Sequence, residues 1–196
     1  ASTEGKKSRA VVDYGIQALK AVWHRGAVDA DGKTGDGAGI HLEIPKDFFI
    51  EKIEITGHKF DNSEICVGMI FLPRNNFDAQ ETCRTIVESE LTKSNFSIFG
   101  WRQVPVNPKI LGEKADRTRP EIAQVLFKHN IRELSGKNLE RKLYETRRKI
   151  ENEAIKKSLS GFYICSLSSK SIIYKGMFLA ESISDFYIDL QDERFI

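Results

Sequence analysis

The sequence predicts an α+β fold with antiparallel pairing. Helical spacing and strand alternation take turns along the 196 residues, in the order helix, strands, helix, strands, helix, strands. Several neighbouring strand-like runs are close enough in sequence to form hairpins, which favours antiparallel pairing over a parallel βαβ sheet. The composition is 40% hydrophobic and 10% aromatic, enough for a packed core and against wholesale disorder. The length suits one ordinary domain or a piece of a larger one.

The first helix is predicted from about Ser8 to Trp23, with Ser8 as N-cap. Val11, Gly15, Ala18 and Val22 share one stripe, and Val12, Ile16 and Leu19 lie beside it. Five glycines then fall within residues 26–39, which calls for tight turns and close backbone approaches. Ile40, Leu42 and Ile44 alternate with His41 and Glu43 as a strand. Pro45 opens a short helix to Glu51, where proline suits the first turn.

Glu64 to Leu72 reads as a buried strand ending at Pro73, and Ala79 to Lys93 as a second amphipathic helix. Asn95 to Val106 is strand-like, Asn107 to Arg119 a charged loop, and Pro120 to His129 another strand. The longest helix is expected over Lys137 to Lys157, with Leu139, Leu143, Ile150 and Ala154 near one face. Glu145 with Lys149 and Glu153 with Lys157 have the spacing of favourable ion pairs. Phe162 to Ser168 and Ser171 to Lys175 read as a hairpin around Ser169-Lys170. Ala180 to Phe186 is expected to form one or two helical turns, and a strand-like run precedes Gln191.

Charge and spacing exclude several functions. Lys and Arg total 30 against 28 Asp and Glu, so the net charge of +2 gives no electrostatic reason to bind nucleic acid. The long helix carries eight Lys/Arg and four Glu, but the acids are interspersed and no aromatic stripe accompanies it. No apolar run approaches the roughly 18–20 residues of a membrane span, and the N-terminus lacks a signal-peptide core. Cys66, Cys83 and Cys165 are odd in number and widely spaced, as befits reduced thiols in a cytosol-like compartment. The four histidines show no metal-ligand spacing, and Ser166 to Ser169 lack a nucleophile elbow.

The glycine stretch is the most distinctive feature. Gly32-Lys33-Thr34 is followed by Gly35-Asp36-Gly37, which would break the helix a phosphate loop requires. In a dinucleotide fingerprint counted from Gly35 and Gly37, Ile40 stands where the third glycine belongs. A calcium loop from Asp29 would have Lys33 and Ile40 at its fifth and twelfth positions, which are not oxygen ligands. Two readings stay open: a backbone-lined pocket wall with Arg25 and Asp36 as its polar groups, or a tight connection between helix and strand. Tyr174-Lys175 closes a strand, where the lysine could face a pocket or protect an edge.

The linked motifs carry a resemblance. H-R-G-A at His24 to Ala27 and T-G-D-G-A-G-I at Thr34 to Ile40 closely resemble the glutaminase domain of the glutamate synthase large subunit. V-G-M-I-F-L-P at Val67 to Pro73, G-W-R-Q-V-P-V at Gly100 to Val106 and L-G-E-K-A at Leu111 to Ala115 continue it in order. R-P-E-I at Arg119 to Ile122, S-L-S-S-K-S-I-I-Y-K-G-M at Ser166 to Met177 and F-Y-I-D-L at Phe186 to Leu190 complete it.

The resemblance implies a class II amidotransferase of the N-terminal-nucleophile hydrolase type, with two stacked antiparallel sheets between helix layers. It implies glutamine hydrolysis by an N-terminal Cys whose own α-amino group is the base. An Asn side chain and a Gly N–H would stabilise the oxyanion. Arg and Asp residues would hold the substrate's α-carboxylate and α-amine. Ammonia would pass to FMN and an iron–sulfur cluster elsewhere in the parent enzyme, with NADPH or ferredoxin as electron donor, and aminate 2-oxoglutarate. The implied partners are glutamine, the other domains of the large subunit and a small reductase subunit, without nucleic acid or membrane. The implied compartment is the cytoplasm, or the plastid stroma in a photosynthetic eukaryote.

The sequence departs from this pattern at both ends. No Cys-Gly start is present: Ala1 aligns beyond it, and Ser2 or Thr3 would need trimming to serve. None of the three internal cysteines has a free α-amino group. The stretch carrying the substrate Arg and the oxyanion Asn-Gly would follow Ile196. Residues 1–196 therefore read as an interior, incomplete segment of one amidotransferase domain, inactive by itself and with open sheet edges that favour association. Arg25, Gly26, Asp36, Gly37 and Gly39 are the expected active-site loop, Arg25 and Asp36 organising it. Tyr174 and Lys175 are weaker pocket residues, and no metal is expected. The alternative is a stand-alone binding module that keeps the fold without the chemistry.

Overall fold

A computed structural model describes residues 3–60, 64–131 and 133–196. The expectations placed on Ala1 and Ser2 lie outside them. The chain divides into two compact units, one of residues 46–103 and 120–172 and the other of residues 1–45, 104–119 and 173–196.

The first unit is built on a four-stranded antiparallel sheet. Its strands are β2 (Ile65–Leu72), β3 (Phe96–Gln103), β4 (Glu121–His129) and β5 (Tyr163–Ser168), in the order β3-β4-β2-β5. β2 sits between β4 and β5, which explains its near-continuous apolar sequence: seven of its eight residues are buried. Helices α3 (Phe77–Lys93) and α5 (Gly136–Lys156) pack against each other, α3 against β3 and α5 against β5. The core between them gathers Ile70, Leu72, Val87, Leu91, Phe127, Leu139, Leu143 and Ile150. Leu139, Leu143, Ile150 and Ala154 share the buried face of α5, as their spacing predicts. Asn76 caps α3 by accepting the Ala79 N–H at 2.9 Å. Helix α2 (Lys46–Ile55) runs one turn past the predicted Glu51, because Ile53 gives a third buried position after Phe48 and Phe49.

The second unit holds α1 (Arg9–Ala21) and a two-stranded antiparallel sheet of β1 (Ala38–Glu43) and β6 (Ser171–Gly176). It also holds α4 (Glu113–Thr118) and α6 (Ile183–Phe186). Helix α1 buries Val12 and Ile16; Val22, placed by its spacing on the neighbouring stripe, is 45% exposed. Around β6, Tyr174, Phe178, Phe186, Tyr187 and Phe195 form an aromatic core with edge-to-face and tilted contacts.

Four expectations are corrected. The strands flanking Ser169-Lys170 do not pair as a hairpin: β5 joins β2 and β6 joins β1. The Ser168 hydroxyl takes the N–H groups of Lys170 and Ser171, and Glu140 takes the Ser168 hydroxyl and the Ser169 N–H. These side chains occupy backbone donors near the turn, so the chain leaves one sheet for the other. The expected loop from Asn107 to Arg119 contains a 3₁₀ turn at Pro108–Ile110, capped by Asn107, and then α4. Six residues are too few for an apolar period to betray a helix. The strand-like run before Gln191 is helical, in α6 and a 3₁₀ turn at Ile188–Gln191. On α5, Glu145 takes Arg141 and Glu153 takes Lys156 as hydrogen-bonded partners, with the predicted Lys157 acting on Glu153 as a nearby positive charge.

Candidate functional site

The glycine-rich loop belongs wholly to the second unit. After α1 the chain makes a 3₁₀ turn at Trp23–Arg25, and then doubles back on itself. Val28 bridges Gly35, the Asp29 N–H donates to the Thr34 carbonyl at 2.8 Å, and the Asp36 N–H donates to the Ala27 carbonyl at 3.2 Å. Gly37 turns the chain into β1 with φ +120°, a conformation that side-chain-bearing residues rarely adopt. Gly39 then lies so close to β6 that a Cβ would stand 2.9 Å from the Lys175 Cβ and 3.1 Å from the Tyr174 carbonyl oxygen. The glycine density thus has two separate causes, one of torsion and one of space.

This local fold lines an open groove of about 600 Å³. Arg25, Gly26, Asp36, Gly37 and Gly39 all line it, with Leu19, Val22, Trp23 and Val28 as an apolar margin and Leu179 to Glu181 opposite them in sequence. All five predicted loop residues are exposed. The groove therefore offers one cationic side chain, Arg25, two carboxylates, Asp36 and Glu181, a floor without side chains, and apolar surface. Such a surface suits a small zwitterion that also carries an uncharged stem.

Tyr174 and Lys175 do not line this groove. Tyr174 is fully buried; its hydroxyl donates to Asp189 Oδ2 at 3.1 Å and its ring meets Tyr187 and Phe195. Lys175 presents its carbonyl to the Tyr187 hydroxyl at 2.7 Å and its Cβ to Gly39. Their contribution is the backing of β1, which motif reading alone could not separate from a place in the pocket.

Electrostatics concentrate behind the groove. The Thr34 hydroxyl, with the N–H groups of Thr34 and Lys33, holds the Asp31 carboxyl down at about 2. The Lys114 ammonium, hydrogen-bonded to Asp29, lowers the Asp29 carboxyl and is itself raised. Thr34 is 2% exposed and its hydroxyl is committed to Asp31, so Gly32-Lys33-Thr34 forms a closed turn and not a phosphate cradle.

The cysteines all belong to the first unit. All three are buried and reduced. Burial pushes the Cys66 thiol up, and the Cys83 thiol up to about 11, so neither is a thiolate near neutrality. The three thiols lie on β2, α3 and β5. Among the described residues no His, Cys, Asp and Glu side chains gather in a group able to hold a metal ion, and no helix is long and apolar enough to cross a membrane.

The comparison with known families follows from this fold and groove. The sequence profile of the class-II glutamine amidotransferases matches residues 1–196, and the chain belongs to that family. Its fold type is that of the N-terminal-nucleophile hydrolases. Among individual proteins, the chain is 55% identical over 195 residues to the glutamate synthase [NADPH] large chain of Azospirillum brasilense. It is 38% identical over 197 residues to the chloroplastic ferredoxin-dependent glutamate synthase of Spinacia oleracea. It is 35% identical over 193 residues to ferredoxin-dependent glutamate synthase 2 of Synechocystis. These alignments cover 98–100% of this chain but only 12–13% of those relatives.

Proposed function

We propose that this chain is an interior part of the glutaminase domain of a glutamate synthase, and that its glycine-rich loop walls the pocket in which glutamine is hydrolysed. The observation that carries this reading is the groove: all five loop residues singled out by their motif line one surface. Glutamine suits it. Its α-carboxylate and α-amine need opposite charges, its methylene stem needs apolar wall, and its amide must lie beside bare backbone. Arg25 and Asp36 organise the loop from its two ends.

The nucleophile of the reaction is an N-terminal Cys, supplied by sequence outside residues 1–196, with its own α-amino group as base. The oxyanion partners, an Asn side chain and a Gly N–H, come from outside as well. The internal thiols do not replace that nucleophile: all three are buried within the chain, and none carries a free α-amino group. Thr3 is exposed near the terminus and carries no free α-amino group unless trimmed. The chain by itself is therefore inactive.

In the whole enzyme the released ammonia aminates 2-oxoglutarate, with reduction supplied by FMN and an iron–sulfur cluster held in other domains. NADPH or ferredoxin is the donor, a small reductase subunit is a further partner, and the cytoplasm or plastid stroma is the compartment. The high identity to an NADPH-named large chain supports the glutamate synthase assignment. The test is ammonia release from glutamine by the full-length protein and by residues 1–196. Turnover by the full-length protein alone is expected; turnover by the 196-residue chain sinks the account of the missing nucleophile.

A further inference from the structure

The back of the glycine-rich loop rests on a segment some eighty residues away in sequence. Asp31 Oδ1 accepts the N–H groups of Lys33 at 2.9 Å and Thr34 at 2.7 Å, and Oδ2 accepts the Thr34 hydroxyl at 2.6 Å. The same hydroxyl oxygen accepts the Ala115 N–H, at 3.4 Å, in the first turn of α4. Gly112, which precedes α4, has no cap of its own. Thr34 thus supplies the missing cap from outside the helix.

Gly112 is fixed by space. A Cβ at this position would stand 2.1 Å from Asp31 Oδ2 and 2.3 Å from Thr34 Oγ1. These atoms belong to a hydrogen-bonded turn and not to the free end of a flexible side chain. Lys114 adds a charged tether, its Nζ 2.7 Å from Asp29 Oδ2. Asp29 in turn bonds through its N–H to the Thr34 carbonyl, closing the circuit. Leu111 and Ala115 flank the contact and are 8% and 4% exposed.

We infer that Asp31, Thr34 and Gly112 are positioning residues for the groove: the contact of Gly112 with the Asp31–Thr34 turn sets where Arg25, Asp36 and Gly37 stand. The turn transmits that position through the Val28–Gly35 bridge and the Ala27–Asp36 hydrogen bond, and through Gly32, which lines the groove itself. A displaced turn moves the charged margins apart without touching them. The inference rests on the proposed function for its kinetic meaning, whereas its structural content stands on the turn itself.

The test uses the full-length protein with Gly112→Ala, Thr34→Val and Thr34→Ser. Two quantities are read: KM and kcat for glutamine hydrolysis, and hydrogen exchange of residues 27–39 against that of β2 and β4. Gly112→Ala and Thr34→Val are expected to raise KM about tenfold while kcat stays within about threefold. Both should speed exchange in residues 27–39 and leave β2 and β4 unchanged. Thr34→Ser keeps the hydroxyl and is expected to restore both readouts. Should Gly112→Ala fail to fold, the Thr34 pair decides alone. Wild-type KM and wild-type loop exchange in Thr34→Val overturn the inference, as does a Thr34→Ser variant as impaired as Thr34→Val. If the wild-type protein does not hydrolyse glutamine, the functional reading fails, while the exchange data still decide the positioning.

Discussion

In the β3-β4-β2-β5 sheet, position is set by side-chain volume; in residues 26–39 it is set by backbone torsion and a few carboxylate hydrogen bonds. The core residues Ile70, Leu72 and Phe127 of the sheet and Val87 and Leu143 of the helices packed on it are 0% exposed. The loop has Thr34 and Gly35 as its buried residues, and its remaining positions are partly or fully exposed. A core of the first kind loses stability in proportion to the volume removed. A loop of the second kind loses geometry, which global stability hardly registers.

This contrast can be broken by experiment. The largest effect is expected from Leu143→Ala, which empties a fully buried position on α5. It should cost about 2–5 kcal/mol, read as faster exchange across β2 and β4. Little change there would mean that the core collapses around the gap. Next comes Gly39→Ala, which forces β1 from β6 because a Cβ lands 2.9 Å from the Lys175 Cβ. Overpacking of this kind costs about 1–3 kcal/mol, and glutamine turnover should fall with it.

A smaller effect is expected on lowering the pH. The Asp31 carboxyl sits at about 2, below its ordinary value of 3.8. A depressed carboxyl contributes fully above its unfolded value, and the contribution is lost as pH falls through the folded one. Exchange in residues 27–36 should therefore accelerate as pH drops from about 4 toward about 2, after correction for intrinsic rates. In Asp31→Asn this extra step should vanish. The smallest effect belongs to Lys114→Met. Its ion pair with Asp29 is exposed and screened by salt. No change in global unfolding is expected, only faster exchange at the turn, and added salt should mimic it in the wild type.

Legibility in the sequence follows the same division. The first unit was readable because burial imposes a period. The apolar run of β2 and the Leu139-Leu143-Ile150 face of α5 announce themselves. The failures came where local hydrogen bonds or short length replace periodicity. Ser168 and Glu140 turned an apparent hairpin into a crossing between sheets, and α4 was too short to register. In the loop, spacing alone favoured a plain connection over a pocket wall; the linked motifs pointed to Arg25 and Asp36. The support behind it went unseen, because nothing local to Gly112 or Lys114 names a partner some eighty residues away. Only the appearance of L-G-E-K-A among the motifs hinted that the segment matters.

The central claim is that the loop of residues 26–39 walls a glutamine pocket. The most direct measurement is kcat/KM for glutamine hydrolysis by the full-length protein and its Asp36→Ala variant, with loop exchange recorded alongside. The account predicts a loss of about tenfold or more while exchange in β2 and β4 stays at the wild-type level. An Asp36→Ala enzyme that hydrolyses glutamine as the wild type does would contradict it.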